Sequence, residues 1–393
     1  MISSINFLNR VCILLFAGVL CFSGCAWTKK SVNENTQTHE GKFSIAVLPF
    51  ENLSGTMAPL KDIRGLFIHQ LGARGFHVLE EDVLEKFMAR NRIRYTGGIN
   101  KPLAQAFKND TGTGGVLITS LELYSGVNPP KIALTSRLVS TGDNPVILWV
   151  DGVGLAGDDS PGILGLGLIE DPKVLSEKAV GRLTGSLGKY FDRKSERDIV
   201  KGMKGKFRPK ISYRSDVFDP TQKYTVAIAP FLNFSGRKNA GEILELEFIR
   251  NLKTFEQLDV VEPGMVRQEL LTMRMIIPEG ISLANADALF ATLNVDLIVA
   301  ANVNEYQDYE GEFGKPKVDF FVQLIERKSR SVVWSSVSHN EGDDGVFFFD
   351  VGRVNTAHAV ASQMTRWIGE MVIEGSKRVQ GARSDKSFRK GEK

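Results

Sequence analysis

The chain has 393 residues, enough for two domains of ordinary size, and its 49 basic and 46 acidic side chains leave a formal charge of only +3. That near balance gives no electrostatic case for nucleic acid as a partner, while 42% hydrophobic residues suit a chain that buries a core. The three cysteines are Cys12, Cys21 and Cys25, so no disulfide can staple the residues beyond them.

The first residues read as a processing signal. Arg10 supplies a positive charge, Val11 to Phe22 form an apolar run, and Ser23-Gly24-Cys25 closes it with small residues. This pattern predicts a secretory signal peptide over residues 1–24, too short to span a membrane well. The ending resembles the bacterial lipobox, which implies cleavage before Cys25 and a diacylglycerol on its thiol. Each buried CH₂ of such an anchor adds about 0.8 kcal/mol, so an acylated Cys25 holds the chain to a lipid membrane. Ala26 after the cysteine resembles the sorting pattern of enteric outer-membrane lipoproteins, which implies a periplasm-facing, outer-membrane location. Residues 25–41 are polar and poor in apolar side chains, and read as a flexible tether.

The chain then says one thing twice. Ile45-Ala-Val-Leu-Pro-Phe-Glu-Asn-Leu-Ser-Gly55 returns 181 residues later as Val226-Ala-Ile-Ala-Pro-Phe-Leu-Asn-Phe-Ser-Gly236. Each copy is a short apolar strand closed by a tight turn. A period this long predicts tandem domains rather than a solenoid, here residues 42–194 and 223–374. Residues 195–222 read as a basic linker and 375–393 as a basic, disordered tail.

Within each repeat the pattern continues in parallel. An amphipathic helix over Leu60–Ala73 matches one carrying Ile243, Leu246, Phe248, Ile249 and Leu252. A short strand follows (Phe76–Glu80; Leu258–Glu262), then a second helix (Val83–Asn91; Met265–Met273) and a third (Leu103–Lys108; Asn285–Leu293). The next strand is a continuous apolar run, Gly115–Leu121 or Asp296–Asn302, suited to a sheet centre covered on both faces. A hairpin comes next, with Trp149 matched by Trp334, and a closing helix near Lys173–Phe191 or Arg353–Ile373. The order β-α-β-α-α-β-β-β-α, twice, predicts an α/β fold: two similar tandem domains, each a mixed sheet packed with helices.

The opening strand ending Pro-Phe-x-Asn-x-Ser-Gly, the amphipathic helix and the strand with Val-Leu-Glu resemble one domain family. It comprises the curli-secretion lipoprotein CsgG, the amino-terminal domain of TolB, and the lipoprotein activators of penicillin-binding proteins. The resemblance implies an anticodon-binding-like α/β sandwich, a place in the bacterial envelope, and partner binding without catalysis. It also leaves open an oligomeric outer-membrane secretion pore of the CsgG kind.

Three features are candidates for function. The turns Asn52, Ser54, Gly55 and Asn233, Ser235, Gly236 sit where a strand meets a helix, a place that can hold an anion. They lack the Gly-x-x-x-x-Gly-Lys pattern of a P-loop, and Asn, Ser and Gly are also what the turn itself demands. Gly157-Asp-Asp159 and Gly342-Asp-Asp344 recur as well; paired carboxylates could take a divalent cation, but the spacing of a calcium loop is missing, and a solvated turn fits. The apolar segments that follow carry Ile163, Leu164, Leu166, Leu168 and Ile169 in one repeat and Phe347, Phe348 and Phe349 in the other. They are either recognition loops for a partner or covers for a sheet face.

Catalysis finds no motif. The five histidines, His39, His69, His77, His339 and His358, are scattered and share no metal-ligand spacing; His69 and His358 read as helix-surface residues. No cofactor is implied. The expected function is a non-catalytic accessory that binds envelope proteins during outer-membrane assembly, secretion or transport, and that could self-associate.

Overall fold

The computed structural model describes residues 43–159, 167–192, 206–275, 277, 280–311, 314–346 and 352–384, with side chains as far as 373. The signal peptide, Cys25 and the tether lie outside them, as do Ile163, Leu164, Leu166 and Phe347–Phe349.

The first repeat runs β1 (Ser44–Val47), β2 (Glu51–Asn52), α1 (Leu60–Ala73), β3 (His77–Val78), α2 (Glu81–Arg90), α3 (Lys101–Thr111), β4 (Gly115–Ser125), β5 (Lys131–Ser140), β6 (Ile147–Ala156) and α4 (Pro172–Phe191). The second runs β7 (Ile211–Arg214), β8 (Tyr224–Ile228), β9 (Leu232–Asn233), α5 (Ala240–Leu252), β10 (Leu258–Val260), α6 (Pro263–Thr272), α7 (Leu283–Leu293), β11 (Leu297–Gln307), β12 (Lys317–Glu326), β13 (Ser331–Glu341) and α8 (Ala357–Ser384).

Each repeat builds a mixed sheet, as the element order predicts. The strand orders are β3-β1-β4-β5-β6 and β10-β8-β11-β12-β13-β7, parallel at the first end and antiparallel through the hairpin. The Pro-Phe step interrupts the opening strand in both repeats. Pro49 and Pro230 offer no N–H to a ladder, so pairing resumes only at β2 and β9, which join β4 and β11.

Alternation along the strands divides the apolar side chains between two faces. In the first sheet Ile45, Val47 and Leu117 pack against Ile63, Phe67 and Leu71 of α1 and Ala179 and Leu183 of α4. Ala46, Val116, Ile118 and Val139 point the other way, into a core shared with Ile243 and Phe248 of α5 and Val360 of α8. The second sheet is covered on its far face by Val266 and Leu270 of α6 and Leu289 and Phe290 of α7. Helices α5 and α8 therefore serve both sheets, and the two repeats belong to one compact unit beginning at Lys42.

Polar contacts cross the same seam. Arg137 of β5 meets Glu262, which precedes α6, through two N–H···O contacts of 3.0 Å, and both side chains are essentially unexposed. A bidentate pair of this kind is strong in its geometry and costly to break one-sidedly. Arg250 of α5 donates to the carbonyl of Gly152 on β6 at 3.0 Å.

Three expectations need correction. Residues 195–222 are not simply linker: Ile211–Arg214 pairs antiparallel with β13, while Phe207 and Phe218 are buried. Four residues with little apolar periodicity, set in a basic run, give that edge strand no sequence signature. The last helix continues to Ser384, past residue 374 where the pattern closes the second domain. His358 is no surface histidine; it is 3% exposed, facing β6 where Gly154 makes room for it.

Candidate functional site

The two turns have the same internal wiring. Asn52 Oδ1 accepts from the Ser54 backbone at 3.1 Å and from its hydroxyl at 2.7 Å, and Asn52 Nδ2 donates to the Thr56 carbonyl at 2.8 Å. Asn233 repeats each bond, with Ser235 at 3.0 and 2.6 Å and the Arg237 carbonyl at 2.7 Å. Asn is needed here because its amide both accepts and donates, closing the turn from two sides. Gly55 takes φ of 75°, a backbone state that side chains with a Cβ rarely adopt. Gly236 does not have a positive φ, so the two turns differ at that point.

What the sequence did not disclose is that the two turns share a cleft. Ser54 and Thr56 line it from the first repeat, with Leu123 to Ser125, and Gly236, Arg237 and residues 305–310 line it from the second. Its volume is about 520 Å³. The Asn239 amide donates to the Leu53 carbonyl at 3.3 Å, tying one turn to the other.

Arg237 and Asp308 in the cleft lining are paired with each other, beside the carboxylates of Glu305 and Glu310. Arg237 bonds Asp308 and the carbonyl of Glu122, and its guanidinium lies 5.0 Å from the centre of the buried Tyr306 ring. Asp308 also accepts from the first turn of α8, at the Ala357 backbone, 2.6 Å away. Lys131 donates to the Tyr309 carbonyl at 2.6 Å; burial pushes its ammonium below the usual range, with Asp308 acting against that. The Ser54 and Ser235 hydroxyls are spent on the turns, with no histidine beside either among the described bonds. The arrangement can hold a ligand or a peptide; among the described residues neither turn hydroxyl is paired with a base.

The rim is apolar. Met57 is 97% exposed, Phe234 64% and Val127 47%, each beside a segment that lines the cleft. The two apolar loops leave and re-enter the fold at this same end. Gly157 bonds the Pro130 carbonyl and receives the Ile169 N–H; Gly342 bonds Pro316 and receives Val354 in the same way. Ile169 packs on the first core and Leu168 is exposed. The Asp-Asp turns are occupied locally: Asp159 accepts from Ala156 at 2.8 Å, and Asp344 from Glu341 at 3.0 Å.

No protein-family model matches the chain, and no curated protein sequence does. Solved structures similar to it include the PelC L103M dodecamer from Paraburkholderia phytofirmans, at 18% identity over 42% of this chain and 96% of that one, with a TM-score of 0.29. Another is lipoprotein GNA1162 from Neisseria meningitidis, at 20% identity over 37% and 99%, with a TM-score of 0.26. A third is the LpoB C-terminal domain from Escherichia coli, at 10% identity over 32% and 87%, with a TM-score of 0.23.

Proposed function

We propose that the protein is a lipid-anchored component of the bacterial envelope, held at the periplasmic face of the outer membrane by acylated Cys25, which binds other envelope proteins and turns nothing over. One observation carries the reading. The features that set this chain apart, its twin Asn-x-Ser turns, the apolar rim and the anchors of both apolar loops, come together at one end of the two sheets. A cleft whose Arg237 and Asp308 are paired with each other and whose rim is hydrophobic suits a protein partner, because apolar anchors supply much of the affinity at such surfaces. The loops bearing Ile163, Leu164 and Leu166 and Phe347, Phe348 and Phe349 would extend that surface.

The test is a crosslinking pull-down from native membranes with wild type and a Met57→Asp/Phe234→Asp double variant. Both side chains are exposed, so the variant should keep its melting transition and lose its specific partners. Equal recovery of partners by both proteins would sink the reading. Ring-shaped oligomers that conduct ions in lipid bilayers would instead favour the pore.

A further inference from the structure

Beneath the cleft, the seam between the repeats holds a second cluster that the binding surface does not use. Glu122 comes from β4, Glu247 from α5 and His358 from the first turn of α8. All three are buried, with side chains at most 3% exposed. The His358 Nδ1 lies 2.6 Å from Glu122 Oε2 and 3.0 Å from Glu247 Oε1. One ring nitrogen carries at most one hydrogen, so it can satisfy only one of these carboxylates fully. Glu122 Oε2 takes that bond, with the Thr135 hydroxyl beside the same carboxylate; Glu247 Oε1 is left with no hydrogen-bond partner.

Arg250 answers only the other oxygen of Glu247, so an unpartnered carboxylate oxygen in a dry seam leaves a place for a further positive species, since buried polar groups are otherwise almost always satisfied. One ligand atom from each of the three residues lies within 4.8 Å of the others. One imidazole nitrogen and two carboxylate oxygens form a donor set that suits Zn²⁺, Mn²⁺ or Fe²⁺. Supports are in place for two of them: Arg250 holds the other oxygen of Glu247 at 2.5 Å, and Gly154 packs against the imidazole.

We propose that Glu122, Glu247 and His358 form a divalent transition-metal site that clips the first repeat to the second. One ligand comes from the first repeat and two from the second, so the site exists only when the repeats are docked. Full burial leaves substrate no route to the site, so the role is structural, although three protein ligands alone do not fill a tetrahedral shell.

The test uses the full-length protein, purified in detergent, stripped with EDTA and titrated with Co²⁺ as the spectroscopic probe. About one Co²⁺ should bind per chain, with visible d–d bands of nitrogen and oxygen coordination and a raised melting temperature. Glu247→Gln should reduce uptake at least tenfold. His339→Ala should leave it unchanged, which controls for the exposed His339–Asp319 pair. If Glu247→Gln fails to fold, the wild-type spectrum decides. Wild-type protein that shows only solvated Co²⁺ and an unchanged melting temperature would overturn the site, leaving a protonated imidazole bridging two carboxylates. So would uptake that survives Glu247→Gln and disappears in His339→Ala.

Discussion

A Cβ built on Gly154 would lie 2.7 Å from Cδ2 of His358, closer than side-chain atoms approach one another. This glycine on β6 is what lets α8 of the second repeat settle on the first sheet. Gly152, two residues away on the same strand face, does the same for α5: a Cβ there would meet Thr135 at 2.9 Å and Arg250 at 3.0 Å. Gly154→Ala should therefore destabilise by about 1–3 kcal/mol through overpacking. Urea unfolding of variant and wild type checks this; an unchanged midpoint would mean that α8 is not seated there.

Arg137 and Glu262 make a second prediction. Replacing one partner strands a buried charge, so Arg137→Met or Glu262→Leu should each cost about 3–5 kcal/mol. Replacing both with apolar residues should recover most of the loss, because the stranded charge disappears. A double-mutant cycle on urea midpoints measures the coupling, and additive losses would contradict the geometry.

The turns predict a smaller effect that is equal in the two repeats. Asn52→Ala and Asn233→Ala each remove the same exposed set of bonds, so each should cost about 1 kcal/mol. If only Asn233→Ala also weakens partner recovery, the second turn does the recognising. Thermal melts run beside the pull-down separate the two outcomes.

Glu51 predicts a pH dependence. Burial pushes its carboxyl above the usual 4.5; the Ser120 hydrogen bond and the charges of Arg137 and Arg267 act against that, while Glu242 adds to it. The folded protein thus holds this proton more tightly than the unfolded chain. Its contribution to stability is complete below about 4.5 and is lost as pH rises through the folded value. Glu51→Gln cannot lose a proton, so its stability relative to wild type should grow between about pH 4.5 and neutrality. Melting curves taken across that range, parallel for the two proteins, would refute the assignment.

Cys25 carries the anchor expectation. Cys25→Ser should block acylation and leave the protein unprocessed or released from the membrane fraction, read by fractionation and by mass spectrometry of the mature chain. Retention with an intact acyl mass would overturn it.

Periodicity made the α/β class and the twin sheets legible, because both depend on local patterns. Ile45 and Val47 alternate with Ala46 and Leu48, and the Pro-Phe-x-Asn-x-Ser-Gly close is a short-range turn requirement. The edge strand Ile211–Arg214 escaped notice because its pairing with β13 leaves no local pattern, and the seat of His358 depends on Gly154, about 200 residues distant.

The amino-acid order alone made legible a doubled α/β unit and where most of its strands and helices fall, the edge strand Ile211–Arg214 excepted. Only the tertiary structure decided that α5 and α8 lie between the two sheets, that both Asn-x-Ser turns open onto one cleft, and that Glu122, Glu247 and His358 meet. The reason is range. Backbone pattern and turn chemistry act over a few residues, whereas a seam between repeats joins side chains whose separation along the chain carries no periodic signal.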